Sequence, residues 1–170
     1  MSTAPATIAI RRPRRSDAAA VANIHEAAWR EAYLGILPGP TLDSMIARRG
    51  SAKWADAFAR SAGYRIIDFG GECAGYSHFG GSRTRRAEAR AEIYELYLAP
   101  EYQGLGLGRR LFAETRALAT KAHGAGLIIW ALAANERAAA FYRALGGREG
   151  PTTVETLGGA SYDKNSWLWK

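Results

Sequence analysis

Residues Glu95–Phe112 read ELYLAPEYQGLGLGRRLF: an apolar run stops at Pro100, passes Gly104, Gly106 and Gly108, and continues into Arg109 and Arg110. Glycine loses more conformational freedom on folding than any other residue, so three in five positions ahead of a helix need a reason. N–H groups at a helix start lack intrahelical partners and sit at the positive end of the helix dipole. A phosphate can lie across them where no Cβ stands in the way. A bare strand-to-helix turn needs fewer glycines than this.

Two familiar phosphate loops do not fit. A P-loop needs Gly-x4-Gly-Lys-[Ser/Thr], whereas Arg109 stands five positions after Gly104 and no Lys-[Ser/Thr] pair follows. A dinucleotide fingerprint needs a third glycine where Arg109 stands, and an acidic ribose partner about 20 residues on. The next apolar run, LIIWAL, ends without an acid.

Outward from this loop the chain alternates strand and helix signals. Thr7–Arg11 alternates like a short strand, and Ser16-Asp17 offers a cap before Val21, Ile24, Ala28 and Ala32, which recur at helical spacing. Gly35–Pro40 breaks that helix, and a second helix is expected over about 42–60. Tyr64–Phe69 and Cys73–Phe79, joined at Gly70-Gly71, form a hairpin. Arg90–Leu98 is the strand that feeds the glycine loop. Leu111, Phe112, Thr115, Leu118 and Ala119 mark the following helix, Leu127–Leu132 a buried strand, and Asn135–Leu145 a short helix closed by glycines. Weaker strands fall around Arg148 and over Tyr162–Trp169. The fold class is α/β in α+β layers: a mixed central sheet of about six or seven strands flanked by about four helices.

The 170 residues fit one domain, 8–170, after an extended or disordered start over residues 1–7. No apolar run is long enough to span a bilayer and no secretory h-region is present, so neither membrane nor export is expected. Cys73 is the sole cysteine, which fits a reducing cytoplasm. The net charge of +7 suits nucleic acid, a polyanionic small molecule or simply an arginine-rich surface. The densest basic clusters, Arg11–Arg15 and Arg83–Arg90, lack the interleaved aromatics of a single-strand binder, so no nucleic acid is expected. His25, His78 and His123 show no metal-ligand spacing, so no metal is expected.

Gln103-Gly104-Leu105-Gly106-Leu107-Gly108 resembles the pyrophosphate loop of the GNAT superfamily of N-acetyltransferases, [Arg/Gln]-x-x-Gly-x-[Gly/Ala]. The likeness extends along the chain from about Ile8, through AAWREAYLGILP, LAPEYQG and LIIWALAANERAAAFYRALGG. It implies the acyl-CoA N-acyltransferase fold, acetyl-CoA as acyl donor, and direct transfer to a primary amine, a small molecule or a peptide N-terminus, in a ternary complex. Gln103, Gly104, Leu105, Gly106, Leu107, Gly108 and Arg109 would then hold the pyrophosphate. The backbone of Leu96 and Leu98 would meet the pantetheine arm, with Leu98 polarising the acetyl carbonyl. Tyr142 matches the tyrosine that acts as general acid on the departing thiolate, with a core aromatic as the alternative. Asn135 matches the asparagine that bonds the pantetheine arm, and is also a plain helix cap.

Only a neutral amine attacks, so a base is required. Simple alternation puts Glu92, Tyr94, Leu96 and Leu98 on one strand face and Ile93, Glu95 and Tyr97 on the other. On that parity Glu92 is better placed than Glu95, and it aligns with a glutamate that some members use; a water relay from Tyr94 and a solvated carboxylate with no role are alternatives. Where certain members carry a glutamate in the later strand, this chain has Trp130. Trp29 and Tyr33 fall where the resemblance places the wall of the acceptor site, and could hold an amine by cation–π contact or be core. A homodimer through the strand bearing Trp167 and Trp169 is compatible with the sequence. A catalytically silent acyl-CoA sensor is the competing function.

Overall fold

The computed structural model describes residues 6–84 and 88–170. Strand β1 (Ile8–Arg11) is followed by helices α1 (Ala18–Tyr33), α2 (Gly39–Ala47) and α3 (Ser51–Arg60). Then come β2 (Tyr64–Phe69), β3 (Glu72–Gly81), β4 (Ala91–Leu98), α4 (Leu107–His123), β5 (Leu127–Leu132), α5 (Glu136–Ala144), β6 (Arg148–Glu149), β7 (Thr153–Leu157) and β8 (Ala160–Trp169). The mixed sheet has eight strands in the order β1-β2-β3-β4-β5-β8-β6, with β7 paired to β8. The layered α/β architecture is the one expected, with one more strand and one more helix.

Two departures have simple causes. The stretch expected as one helix over 42–60 is two, because the chain turns at Arg48–Gly50 between α2 and α3. Leu42 and Met45 then pack in one apolar cluster and Trp54 and Phe58 in another. Ser16-Asp17 lies in a 3-10 turn, where the Asp17 carboxylate accepts the Arg14 N–H (2.6 Å) and pairs with Arg11 (2.9 Å) instead of capping α1.

Apolar side chains fill both sides of the sheet. Leu107, Leu111, Phe112 and Ala119 of α4 pack on Ile67, Ala74, Ile93 and Ile129. On the opposite side Val21 and Ile24 of α1 and Trp54 of α3 pack on Ile66 and Tyr76. Each such large side chain taken from water stabilises the fold by roughly 1.5–3 kcal/mol.

Two irregularities shape the middle of the sheet. Strands β4 and β5 form its parallel pair, joined only over Ala91–Ile93 and Leu127–Ile129; beyond that they splay. In the β3–β4 pair the register steps from His78↔Glu95 to Phe79↔Ile93, leaving Tyr94 as the unpaired residue of a bulge. The Tyr94 ring lies against Gly80, where an added Cβ would come within 2.3 Å of its hydroxyl.

Candidate active site

The splay opens a cleft of about 580 Å³ between Leu96–Leu98 and Ile129–Ala131, closed below by α5 and open at the glycine loop. Ala99 N–H donates to Ala74 on β3 (2.9 Å), so by strand alternation the N–H groups of Leu96 and Leu98 point the other way, into the cleft. Their side chains are half-buried against the α4 layer. Gly104 and Gly106 adopt φ of 76° and 78°, the left-handed region that costs other residues steric strain, and the space a Cβ would enter at either is empty within 4 Å. The loop is thus shaped by backbone conformation, with open volume above it. The first bonded N–H of α4 is Arg110 to Gly106 (3.2 Å), which leaves those of Gly108 and Arg109 without intrahelical acceptors. Leu107 is buried in the core, so only its backbone bears on the loop, while Leu105 is exposed. This cradle fits a pyrophosphate, as the resemblance implies.

Gln103 is engaged across the cleft mouth. Its Nε2 donates to Glu31 of α1 (2.8 Å) and its Oε1 accepts from Arg137 of α5, whose guanidinium also pairs with Glu31. Among the described residues the Arg109 side chain reaches only the Ala144 carbonyl, at 3.5 Å. Asn135 Oδ1 accepts the Ala138 N–H (3.1 Å), capping α5, while its residue lines the cleft. Tyr142 lines it too, wedged between Phe141 and Trp167 with ring centres at 5.5 and 5.3 Å. Burial pushes its phenol well above the ordinary tyrosine range, so it stays protonated at neutral pH.

A second, larger cavity of about 1080 Å³ lies on the α1–α2 side, bordered by β7 and Lys164 of β8. Trp29 and Tyr33, expected at an acceptor wall, line it; their rings meet edge to face at 5.2 Å and the two hydroxyls of Tyr33 and Tyr97 hydrogen-bond at 3.1 Å. Tyr94 lines both cavities, and its hydroxyl donates to the Gly81 carbonyl (2.6 Å).

The bulge at Tyr94 overturns the expected parity. Ala91, Ile93 and Leu96 pack together in the α4 layer, whereas Glu92 and Glu95 both line the second cavity. Glu92 therefore does not share a face with Leu98. Its carboxylate, 2% exposed, accepts the Arg83 backbone N–H (2.8 Å), Nε (3.1 Å) and Nη2 (2.6 Å). Glu95 pairs with Arg49 through Oε1, while Oε2 is buried without a hydrogen-bond partner among the described residues. Burial raises the Glu95 pKa, and Arg49 only partly counters this.

Arg49 and Lys164, which pairs with Glu155 at 2.9 Å, gave no signal in the sequence. Arg49 sits between two helices that read as one, and Lys164 gains its partner from β7, a strand with no clear pattern. Arg85 and Arg86 of the mid-chain basic cluster lie outside the described residues. Among the described residues no group of three or more His, Cys, Asp or Glu could hold a metal ion, and no helix is long and apolar enough to cross a membrane.

Comparison with known proteins adds a family. The model described as "Acetyltransferase (GNAT) family" matches residues 21–146. A Mycobacterium tuberculosis protein named "Probable N-acetyltransferase Rv2775" is 34% identical over 145 residues, 81% of this chain and 78% of that protein. "Uncharacterized N-acetyltransferase YuaI" of Bacillus subtilis is 26% identical over 128 residues, 75% and 73% of the two chains. The PaiA N-acetyltransferase of Thermoplasma acidophilum, solved with coenzyme A, superposes with a TM-score of 0.72 at 21% identity, covering 94% of this chain and 98% of that one. YncA of Salmonella typhimurium, solved with acetyl-CoA, gives 0.67 at 19%, covering 96% and 94%.

Proposed function

The chain belongs to the acetyltransferase (GNAT) family, and from that premise we propose that it transfers the acetyl group of acetyl-CoA directly to a primary amine bound in the second cavity. The observation that carries this reading is the splayed cleft, which joins an unsatisfied helix start at one end to the aromatic-walled cavity at the other. Acetyl-CoA supplies the activated acyl group. Residues 103–109 would hold its pyrophosphate, and the cleft-facing N–H groups of Leu96 and Leu98 its pantetheine arm. A backbone N–H aimed at the thioester oxygen stabilises the charge that grows there in the transition state.

Tyr142 is the proton donor for the departing sulfur. Among the described residues its hydroxyl has no hydrogen-bond partner, and burial keeps its proton in place. Asn135 caps α5 with Oδ1, which leaves its amide N–H groups for the pantetheine arm.

Titration of the protein with acetyl-CoA and with CoA, followed by thiol release in the presence of amines, tests the reading. Micromolar binding of both ligands is expected. Tyr142→Phe should keep that affinity while lowering turnover about 100-fold, the usual worth of a positioned acid. Absence of binding would remove the donor site, and an unimpaired Tyr142→Phe would reduce Tyr142 to a core aromatic.

A further inference from the structure

Transfer has to occur where the two cavities meet. Tyr33, Tyr94, Tyr97 and Trp130 line both and make the junction aromatic. Among the described residues that line both, Glu95 is the only carboxylate, and no histidine is among them. Glu92 and His78 border the second cavity alone. Glu92 is saturated by three Arg83 hydrogen bonds, whereas Glu95 has one oxygen on Arg49 and the other unpartnered. That oxygen is buried, so it meets a ligand when the carboxylate turns about its broad terminal torsion and shifts its pairing with Arg49.

The charges of the cavity narrow the ligand. Arg49 pairs with Glu95, Arg83 with Glu92 and Lys164 with Glu155, so among the described residues each arginine or lysine lining it already faces an acid. An acidic group on the ligand would find these cations already paired, and Glu92 and Glu155 are likewise engaged, so the free oxygen of Glu95 is what the cavity offers a cation. The unpartnered Glu95 oxygen can take one ammonium, and Trp29, Tyr33 and Trp130 offer flat surface for the body of the amine.

We propose, resting on the acetyltransferase reading above, that the acceptor is a compact primary amine with one positive charge on an aromatic or branched apolar body, and that its ammonium docks on Glu95, which takes its proton. The lone pair of the freed amine then forms the N–C bond to the acetyl carbon. The C–S bond breaks with its electron pair on sulfur, which takes the Tyr142 proton. The acylated nitrogen sheds its second proton, restoring the phenol, and Glu95 releases its own to solvent. One ammonium and one thioester give one amide, one thiol and one proton.

Around Glu95 stand Arg49 from the α2–α3 turn, Arg83 from the segment before β4, His78 on β3, and the phenols of Tyr33, Tyr64, Tyr76 and Tyr97. Burial pushes His78 down to about 4, so none of these neighbours titrates between pH 5 and 8. Burial raises the Glu95 pKa in the same surroundings, so an acidic limb of kcat/KM that Glu95→Gln removes would report this carboxylate.

The test uses the full chain, acetyl-CoA and 2-phenylethylamine as probe, with spermidine and L-glutamate for comparison. 2-Phenylethylamine should exceed both by about tenfold in kcat/KM, a difference of one buried charge mismatch. Glu95→Gln, which keeps an acceptor for Arg49, should lose about 100-fold in kcat/KM and the acidic limb of its pH profile while holding CoA affinity. Glu95→Asp should restore the limb. Spermidine or glutamate as the better substrate, or a Glu95→Gln enzyme with wild-type rate and profile, overturns the proposal. Acetyl-CoA binding with no turnover of 2-phenylethylamine overturns it and leaves the donor site standing; no acetyl-CoA binding removes both.

Discussion

His25 has no exposed surface and lies within 4.5 Å of the Trp29 ring centre, 5.3 Å of Trp54 and 6.3 Å of Tyr76. Its Nδ1 hydrogen-bonds with the Tyr76 hydroxyl at 2.8 Å. Burial, with the nearby Arg49 charge, pushes its pKa down to about 3. The folded chain thus keeps this ring neutral while the unfolded chain protonates it near pH 6.5, so stability is whole above that value and falls as pH drops toward 3. Urea unfolding at pH 7 and pH 4.5 should differ by about 2–3 kcal/mol from this residue, with His78 adding in the same window. Equal midpoints would mean that water reaches the ring. The place of Tyr142 beside the cleft was legible at this scale, because a tyrosine inside the helix after an asparagine is a local pattern. Glu95 was not, since its face depends on a bulge at Tyr94 that carries no glycine or proline to announce it.

Among the elements, the turn before α4 was legible as a turn into a helix, because Gly104 and Gly106 take left-handed angles and Gly108 lies close against Leu98 and Phe141. Gly106→Ala should cost roughly 1–2 kcal/mol of stability, the strain of a left-handed angle with a Cβ. It should also weaken CoA about tenfold if the strained loop withdraws one N–H from the phosphates. Retained affinity together with the lost stability would show the glycine serving the fold alone. The break between α2 and α3 was hidden because apolar positions recur from Leu42 to Phe58 and a single Gly50 is a weak stop. Strand β7 was hidden for the opposite reason. Its TVETL is mostly exposed, so burial leaves little alternation to read. A signal did exist in Gly158-Gly159, the same turn pair that marked Gly70-Gly71, and both residues of each pair have positive φ.

At the scale of the whole molecule, the net charge of +7 masks a balanced site. Arg49, Arg83 and Lys164 are each matched by an acid at the second cavity, and Arg137 by Glu31 at the cleft mouth. Such matching depends on which distant segments meet, which composition cannot register. The sheet carries a further consequence. Where β4 parts from β5, the edge N–H and C=O groups of Tyr94–Leu98 and Trp130–Leu132 on the facing sides are left by the ladder. The sheet is in effect one strand short, and a chain of amides of pantetheine's length is the shape that would complete it. Deuterium uptake at Leu96 and Leu98 should therefore be rapid in the free protein and slow markedly when CoA is bound, while Ala91–Ile93 stays protected in both. An arm held by its phosphates alone would leave those two amides exchanging at the same rate, so the exchange pattern reports whether the ligand finishes the sheet.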